Sequence, residues 1–181
     1  MTKALPLITI LTLAATGSEM DVFSVISNME TNEKMGLDGY VLYPKYSILD
    51  PEYTYSVPKY QTASGTADIM NHIMEVYFNG VEGTYMQDRI MEGLLKTCVH
   101  YGPIACETPK DYDARANLMW TASWAINGFI SCGKAGPWPC HAMEHQLSAY
   151  YDITHGDGLA ILTPAWMKHI LSENTVDRFV K

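Results

Sequence analysis

Aspartate and histidine residues at two places in this chain have the spacing of metal ligands. Asp68 and His72 are four residues apart, so on a helix their side chains project from one face about one turn apart. Three more histidines, His141, His145 and His155, lie within fifteen residues of one another. Carboxylate and imidazole groups are ligands of divalent transition metals such as Fe²⁺ and Zn²⁺. The sequence therefore predicts one metal ion held between two distant segments.

The spacing leaves the third and fourth ligands open. His141 and His145 are four residues apart and could bind a metal on a single helix. On an unbroken helix His141 and His155 would lie about 21 Å apart, so they can share a metal only if the chain turns back between them. Gly156 and Gly158 are predicted to supply the flexible backbone of that turn.

The candidate ligands lie in two longer segments, GTADIMNHIMEVY at 65–77 and HAMEHQLSAYYDITHGDGLAIL at 141–162. Both segments resemble the metal-binding segments of the iron-containing, or group III metal-dependent, alcohol dehydrogenases. The segment ILTLAATGSE at 10–19 is similar to the threonine-rich nucleotide-binding segment of the same family. Two more segments, ILDPEYTYSVP and DYDARANLMWTASWAING, resemble the butanol dehydrogenase-like branch that uses NADPH.

The resemblance implies a role for each histidine of the two segments. It implies that Asp68, His72, His141 and His155 are the metal ligands. It implies that His145 is not a ligand but a catalytic residue, beside the nicotinamide and the substrate, where it relays protons.

The resemblance also implies a nicotinamide cofactor, NADP(H) rather than NAD(H), beside one Fe²⁺ or Zn²⁺ ion. Thr12, Thr16 and Lys34 match positions that contact the dinucleotide in this family. The Gly-rich pyrophosphate turn G-x-G-x-x-G, which precedes the threonine-rich segment in the family, does not occur in this sequence. We therefore expect the chain to be the middle portion of a longer enzyme and to be inactive, or nearly so, by itself.

The periodicity of apolar residues predicts a mainly α protein with a β-rich beginning. Residues 1–50 are predicted to be the C-terminal part of a dinucleotide-binding domain, with strands at 5–13, 22–27 and 40–49 and a polar turn at 31–36. Residues 51–181 are predicted to form a helical metal-binding catalytic domain of the dehydroquinate synthase-like type, truncated at its C-terminus. Within it, a helix that begins after Asp113 and carries Trp120 and Trp124 is apolar almost all round, which predicts a buried central helix.

Composition limits the partners and the compartment. The net charge of −8 argues against a nucleic acid or an anionic membrane as partner, since both attract basic surfaces. The four cysteines form no C-x-x-C pair, which favours reduced thiols and a cytoplasmic protein. The resemblance implies a homodimer that acts on a small alcohol or aldehyde.

The predicted reaction is reversible hydride transfer between a primary alcohol or aldehyde and a nicotinamide cofactor, with the metal polarising the substrate oxygen. Two alternatives remain. The segment HAMEH at 141–145 also satisfies the H-x-x-E-H pattern of inverzincin metallopeptidases, in which Glu144 would be the catalytic base. The chain could also be an inactive metal-binding or dimerisation fragment.

Overall fold

The computed structural model describes residues 3–180, and it confirms a mainly α fold. The helices are α1 (Lys59–Tyr77), α2 (Tyr85–Glu107), α3 (Tyr112–Ile126), α4 (Pro139–Tyr151) and α5 (His155–Ile170). The strands are β1 (Ile8–Ile10), β2 (Phe23–Asn28), β3 (Glu33–Asp38) and β4 (Tyr46–Ile48). None of the described helices has the length and apolar character needed to cross a membrane.

Helix α1 lies at the centre of the helical region and packs against α2, α3, α4 and α5. Ile69 and Ile73 on α1 are fully buried in the main hydrophobic core. The sequence prediction that α3 is the central helix is wrong, because Trp120 on α3 is 51% exposed. A helix that is apolar all round has no single apolar stripe, so its sequence does not indicate which face is buried. The packing of neighbouring helices decides which face is covered.

The strands form two separate pairs near the N-terminus. β1 pairs with β4 in parallel, and β2 pairs with β3 as an antiparallel hairpin in which Phe23 lies opposite Asp38. The predicted turn at 31–36 is wrong in its second half, because the residues from Glu33 onward belong to β3. The predicted strand at 40–49 is reduced to β4, since Tyr40–Leu42 form a 3₁₀ turn. The reversal between β2 and β3 is shorter than predicted and includes Asn32 in the left-handed conformation, with φ 53°.

The chain does turn back between His141 and His155, but the glycines do not make the turn. The reversal lies at 152–154, where Asp152 adopts the left-handed conformation with φ 52°. Gly156 and Gly158 instead lie in the first turn of α5. A Cβ atom added to Gly156 would be 2.1 Å from the Ser64 carbonyl oxygen on α1. These glycines are therefore needed for close helix packing rather than for backbone flexibility.

Substitution of Gly156 should show this requirement. Gly156→Ala is expected to lower the free energy of unfolding by about 2 kcal/mol, as overpacking of a tight contact does. Gly93→Ala is the matched control, because Gly93 lies exposed in α2 and an added Cβ would meet no atom within 4 Å. The control should be neutral or more stable by about 0.5–1 kcal/mol. Chemical denaturation measures both changes, and equal stability of the two variants would contradict the close-packing argument.

Candidate metal centre

Helix α1 holds the first pair of candidate ligands, Asp68 and His72. Their spacing of one helical turn places both side chains on the same face, and both residues are buried, at 2% and 3% exposure. The His72 Nε2 atom lies 3.2 Å from the Asp68 Oδ1 atom. The pair therefore meets inside the protein, away from bulk water.

The second pair approaches the same carboxylate from two other helices. His141 is the third residue of α4, and His155 is the first residue of α5. Their Nε2 atoms lie 3.7 Å and 3.6 Å from the Asp68 Oδ1 atom. Three imidazole nitrogens from three helices thus converge on one carboxylate oxygen.

The spacing and pairing of these atoms fit a metal ion. Ligands at Zn–N and Zn–O bond lengths and tetrahedral angles lie roughly 3.4 Å from one another, and the three imidazole nitrogens lie 3.2–3.7 Å from Asp68 Oδ1. Within the described residues, Asp68 Oδ1 and His141 Nε2 are buried without a hydrogen-bond partner. Such atoms are costly when left unpaired, and a divalent cation among them would satisfy both.

The site perturbs the ionisation of its own residues. Burial opposes the charged form of Asp68, but the charges of His72 and of the neighbouring imidazoles of His141 and His155 lower its pKa to about 2. Burial is the main cause that lowers the pKa of His72 to about 4. Burial acts in the same direction on His141, but the neighbouring carboxylates of Asp68 and Glu75 outweigh it and raise the pKa of His141 to about 9. The shifts of Asp68 and His72 favour the carboxylate anion and the neutral imidazole, which are the forms that bind metals, whereas the shift of His141 favours its charged form.

Two fully buried glutamates hold the histidines from the opposite side of their rings. The Nδ1 atom of His141 hydrogen-bonds to Glu75, and the Nδ1 atom of His155 hydrogen-bonds to Glu144. Glu75 also accepts a 2.5 Å hydrogen bond from the backbone N–H of Cys140. A bond at Nδ1 fixes the ring and leaves Nε2 directed at the metal position.

Sequence analysis missed the supporting role of both glutamates. Glu75 was not singled out, and Glu144 was considered only as a peptidase base. A signal was present in the spacing, because each glutamate lies three residues after a candidate ligand, His72 or His141, on the same helix. Such spacing is common among helical surface residues, so only the structure shows which ring each carboxylate reaches.

His145 lies beside the cluster rather than at its centre. Its ring centroid is 6.3 Å from that of His141 and 5.6 Å from that of His155. In the part of the chain that the structure describes, His72, His141 and His155 reach ion-pair distance of Asp68, and His145 does not. Burial is the main cause that lowers the pKa of His145 to about 4.

A second group of possible ligands lies beside the first. Donor atoms of Glu144, His145 and His155 lie within 4.8 Å of one another, as do those of Asp68, His72 and His141. His155 is therefore close to both groups, since its Nε2 atom approaches Asp68 while its Nδ1 atom is engaged by Glu144. The assignment of metal ligands stays a prediction, and His155 is the residue on which it depends.

The metallopeptidase alternative finds no support. The base of a metallopeptidase must reach a water molecule on the metal. Glu144 is instead fully buried, with its Oε2 atom bonded to His155 and 3.7 Å from the Lys34 Nζ atom.

The three predicted dinucleotide residues lie in two places. Thr12 and Thr16 are exposed in the loop after β1, where both line a groove of about 440 Å³. Lys34 lies on β3, and its Nζ atom donates a 2.8 Å hydrogen bond to Ser148 on α4. The structure thus brings Lys34 towards the metal centre.

Trp138 separates the metal centre from a neighbouring cavity. Its ring contacts the rings of His72 and His141 edge-on, with centroids 5.7 Å and 5.1 Å away. The cavity beyond it has a volume of about 310 Å³ and is lined by hairpin residues, including Phe23, and by the loop before α4. A mainly apolar space therefore lies directly beside the cluster.

Two family descriptions match nearly the whole chain. The description "Fe-containing alcohol dehydrogenase family, C-terminal" matches residues 62–180, and "Iron-containing alcohol dehydrogenase" matches residues 1–51. Both matches agree with a fold in which a buried aspartate and three histidines meet between helices. The chain belongs to the iron-containing alcohol dehydrogenase family.

Individual relatives support this membership. The chain is 63% identical to NADH-dependent butanol dehydrogenase A of Clostridium acetobutylicum over 99% of its own length and 46% of the relative's. It is 40% identical to the NADPH-dependent aldehyde reductase YqhD of Escherichia coli, over 90% of this chain and 42% of that protein. The crystal structure of NADH-dependent butanol dehydrogenase A from Thermotoga maritima superposes with a TM-score of 0.90 at 48% identity, covering 92% of this chain and 42% of that one. The chain thus spans about half the length of the curated relatives it matches.

Metal removal should destabilise the fold, because the candidate ligands come from three different helices. A ligand that binds only the folded state adds about 2.7 kcal/mol at a hundredfold excess over its dissociation constant. We expect a chelator to lower the melting temperature, and we expect His72→Ala to lose most of this metal-dependent shift. Thermal melts with and without Zn²⁺ measure the effect.

His145→Ala is the matched control, because it removes an imidazole next to the cluster without removing a predicted ligand. It should keep the full metal-dependent shift. A loss of metal as complete as that of His72→Ala would overturn the division between ligands and neighbour.

Proposed function

We propose that the whole protein is a metal-dependent alcohol dehydrogenase that also works as an aldehyde reductase. Its reaction is reversible hydride transfer between a primary alcohol or aldehyde and a nicotinamide cofactor. The observation that carries the proposal is the convergence of three imidazole Nε2 atoms, from three helices, on one buried Asp68 oxygen. Membership of the iron-containing alcohol dehydrogenase family gives that cluster its reaction class.

The proposed ligands of one Fe²⁺ or Zn²⁺ ion are Asp68, His72, His141 and His155. When bound, the ion supplies a Lewis acid that polarises a carbonyl oxygen or lowers the pKa of an alcohol. One carboxylate and three neutral imidazoles leave the centre with net positive charge, so the protein environment favours an alkoxide. The Nδ1 hydrogen bonds to Glu75 and Glu144 keep two of the rings oriented throughout the reaction.

The proposed role of His145 is to move a proton between the substrate oxygen and solvent. Its ring is partly buried and lies next to His141 and His155, so it is close to the site without being directed at Asp68. A neutral imidazole has one nitrogen that accepts and one that donates, which suits proton transfer in both directions of the reaction.

The cavity beside Trp138 supports a small, mostly apolar substrate. Its volume of about 310 Å³ is at the lower end of the range typical of small-molecule sites. Its lining is mostly apolar, with Asp38, Glu75 and Asn79 among its polar members. The names of two relatives, butanol dehydrogenase and aldehyde reductase, give butanol and aldehydes as their substrates, which are small and mostly apolar.

The cofactor is proposed to be a nicotinamide dinucleotide bound next to residues 1–50, as part of a dinucleotide-binding domain, with residues 51–181 forming the metal-binding domain. Thr12, Thr16 and Lys34 are the proposed contacts. The relatives' names divide between NADH, for the Clostridium protein, and NADPH, for the Escherichia protein. The higher identity to the former makes NADH a strong rival to the NADP(H) predicted from sequence.

The protein is proposed to be a homodimer in the cytoplasm. The four cysteines are unpaired in the structure, which agrees with a reducing compartment such as the cytoplasm. A homodimer is proposed from the family resemblance.

Activity of the whole protein tests the function. Metal-loaded protein is expected to oxidise NADH or NADPH, followed at 340 nm, when butyraldehyde is supplied, and a chelator should abolish the reaction. His145→Ala should reduce kcat by about 10²-fold, the lower end of the usual contribution of a proton-transfer group. His100→Ala, an exposed histidine on α2, is the control and should leave kcat unchanged. Absence of turnover with both cofactors in protein shown to contain metal would refute the proposal.

A further inference from the structure

Glu144 contacts both His155, a candidate metal ligand, and Lys34 from the β2–β3 hairpin. Its fully buried carboxylate accepts a hydrogen bond from His155 Nδ1 through Oε2. The Lys34 Nζ atom lies 3.7 Å from the same Oε2 atom and donates to Ser148 Oγ at 2.8 Å. The lysine side chain is itself only 17% exposed. A connected path thus runs from strand β3 to a candidate metal ligand.

A buried carboxylate needs charge compensation, because removing an ion from water without a partner costs several kcal/mol. A histidine that binds a metal is a neutral imidazole, so His155 in that form offers Glu144 one N–H group and no charge. Lys34 is then the full positive charge that lies within ion-pair distance of Glu144 in the described structure. The lysine therefore compensates the charge of the Glu144 carboxylate and holds it against the His155 ring.

The backbone around Glu144 leaves little room for another arrangement. A Cβ atom added to Gly158 would be 2.7 Å from Glu144 Cγ and 3.1 Å from its Oε1 atom. The first turn of α5, which begins at His155, thus rests directly on the Glu144 side chain. A shift of Glu144 would be transmitted to His155 both through the Nδ1 bond and through this packing contact.

The other supporting glutamate, Glu75, has different hydrogen-bond partners. Glu75 orients His141, and its second oxygen accepts the backbone N–H of Cys140. Glu75 has no ion pair with a lysine or arginine among the described residues. The hairpin therefore reaches only one of the two glutamate–histidine pairs, which provides an internal comparison.

We propose that Lys34 and Glu144 form a positioning pair for His155, through which the β2–β3 hairpin controls the affinity and geometry of the metal centre. This inference rests on the proposed ligand set. It gives Lys34 a role that is independent of any contact with a dinucleotide. It also makes the hairpin part of the metal centre, although none of the proposed ligands lies on it.

Cobalt binding tests the pair in the whole protein, because Co²⁺ bands in the visible spectrum report ligand geometry and titration gives affinity without turnover. Glu144→Gln and Glu75→Gln should each weaken Co²⁺ binding by about 10- to 100-fold, as loss of a carboxylate behind a metal-binding histidine does. Lys34→Met should weaken it by about three- to tenfold and shift the bands, consistent with coupling between contacting residues. Lys34→Arg, which keeps the charge, should restore most of the affinity.

Double variants separate positioning from a general loss of stability. Lys34→Met should have little further effect on the Glu144→Gln background but its full effect on the Glu75→Gln background. Lys59→Met, which removes an exposed lysine paired with Glu107, is the control and should leave the affinity and the spectrum unchanged.

Three outcomes decide against the pair. An equal effect of Lys34→Met on both glutamine backgrounds would overturn it. If Glu144→Gln does not fold, the single Lys34→Met variant decides, and unchanged Co²⁺ affinity and spectrum would overturn the proposal while leaving the metal centre intact. Failure of the unsubstituted protein to bind Co²⁺ would overturn the proposed metal centre itself, and the pair with it.

Discussion

The buried carboxylate of Asp68 is the constraint on which the rest of this structure depends. An anion at 2% exposure is stable only if positive or polar groups surround it, and here three imidazoles do so. Because these imidazoles come from α1, α4 and α5, the three helices must meet at one point. The close contacts at Gly156 and Gly158 are consequences of that requirement, since α5 can deliver His155 only by lying tightly against α1 and α4.

Each histidine near the centre has a different environment, and that difference separates their roles. His72 is buried next to Asp68 and packs edge-on against Trp138. His141 and His155 are each held at Nδ1 by a buried glutamate, which directs Nε2 inward. His145 lies on the outer side, near His141 and His155. The Nδ1 bonds of His141 and His155 suit metal binding through Nε2, and the position of His145 at the edge of the site suits proton exchange.

Lys34 connects the β2–β3 hairpin to the surroundings of the candidate metal centre. Its position beside Glu144 joins two parts of the chain that are more than 100 residues apart in sequence. Trp138 lies between the cluster and the cavity, because its ring packs edge-on against His141 and also lines the cavity. Function in this protein thus depends on contacts between elements rather than on any one segment.

The sequence by itself determined the mainly α class, the family, and the set of residues from which a metal site could be built. It did so because helical periodicity and the spacing of Asp68 and His72 are local properties, readable without knowledge of packing. The tertiary structure alone decided that α1, not α3, is the central helix, and that Gly156 and Gly158 serve close packing while Asp152 lies in the turn. It alone placed Glu75 and Glu144 against the rings of His141 and His155, and Lys34 beside Glu144. Contacts between helices and across the hairpin depend on which faces meet in three dimensions, and residue spacing along one chain does not encode that choice.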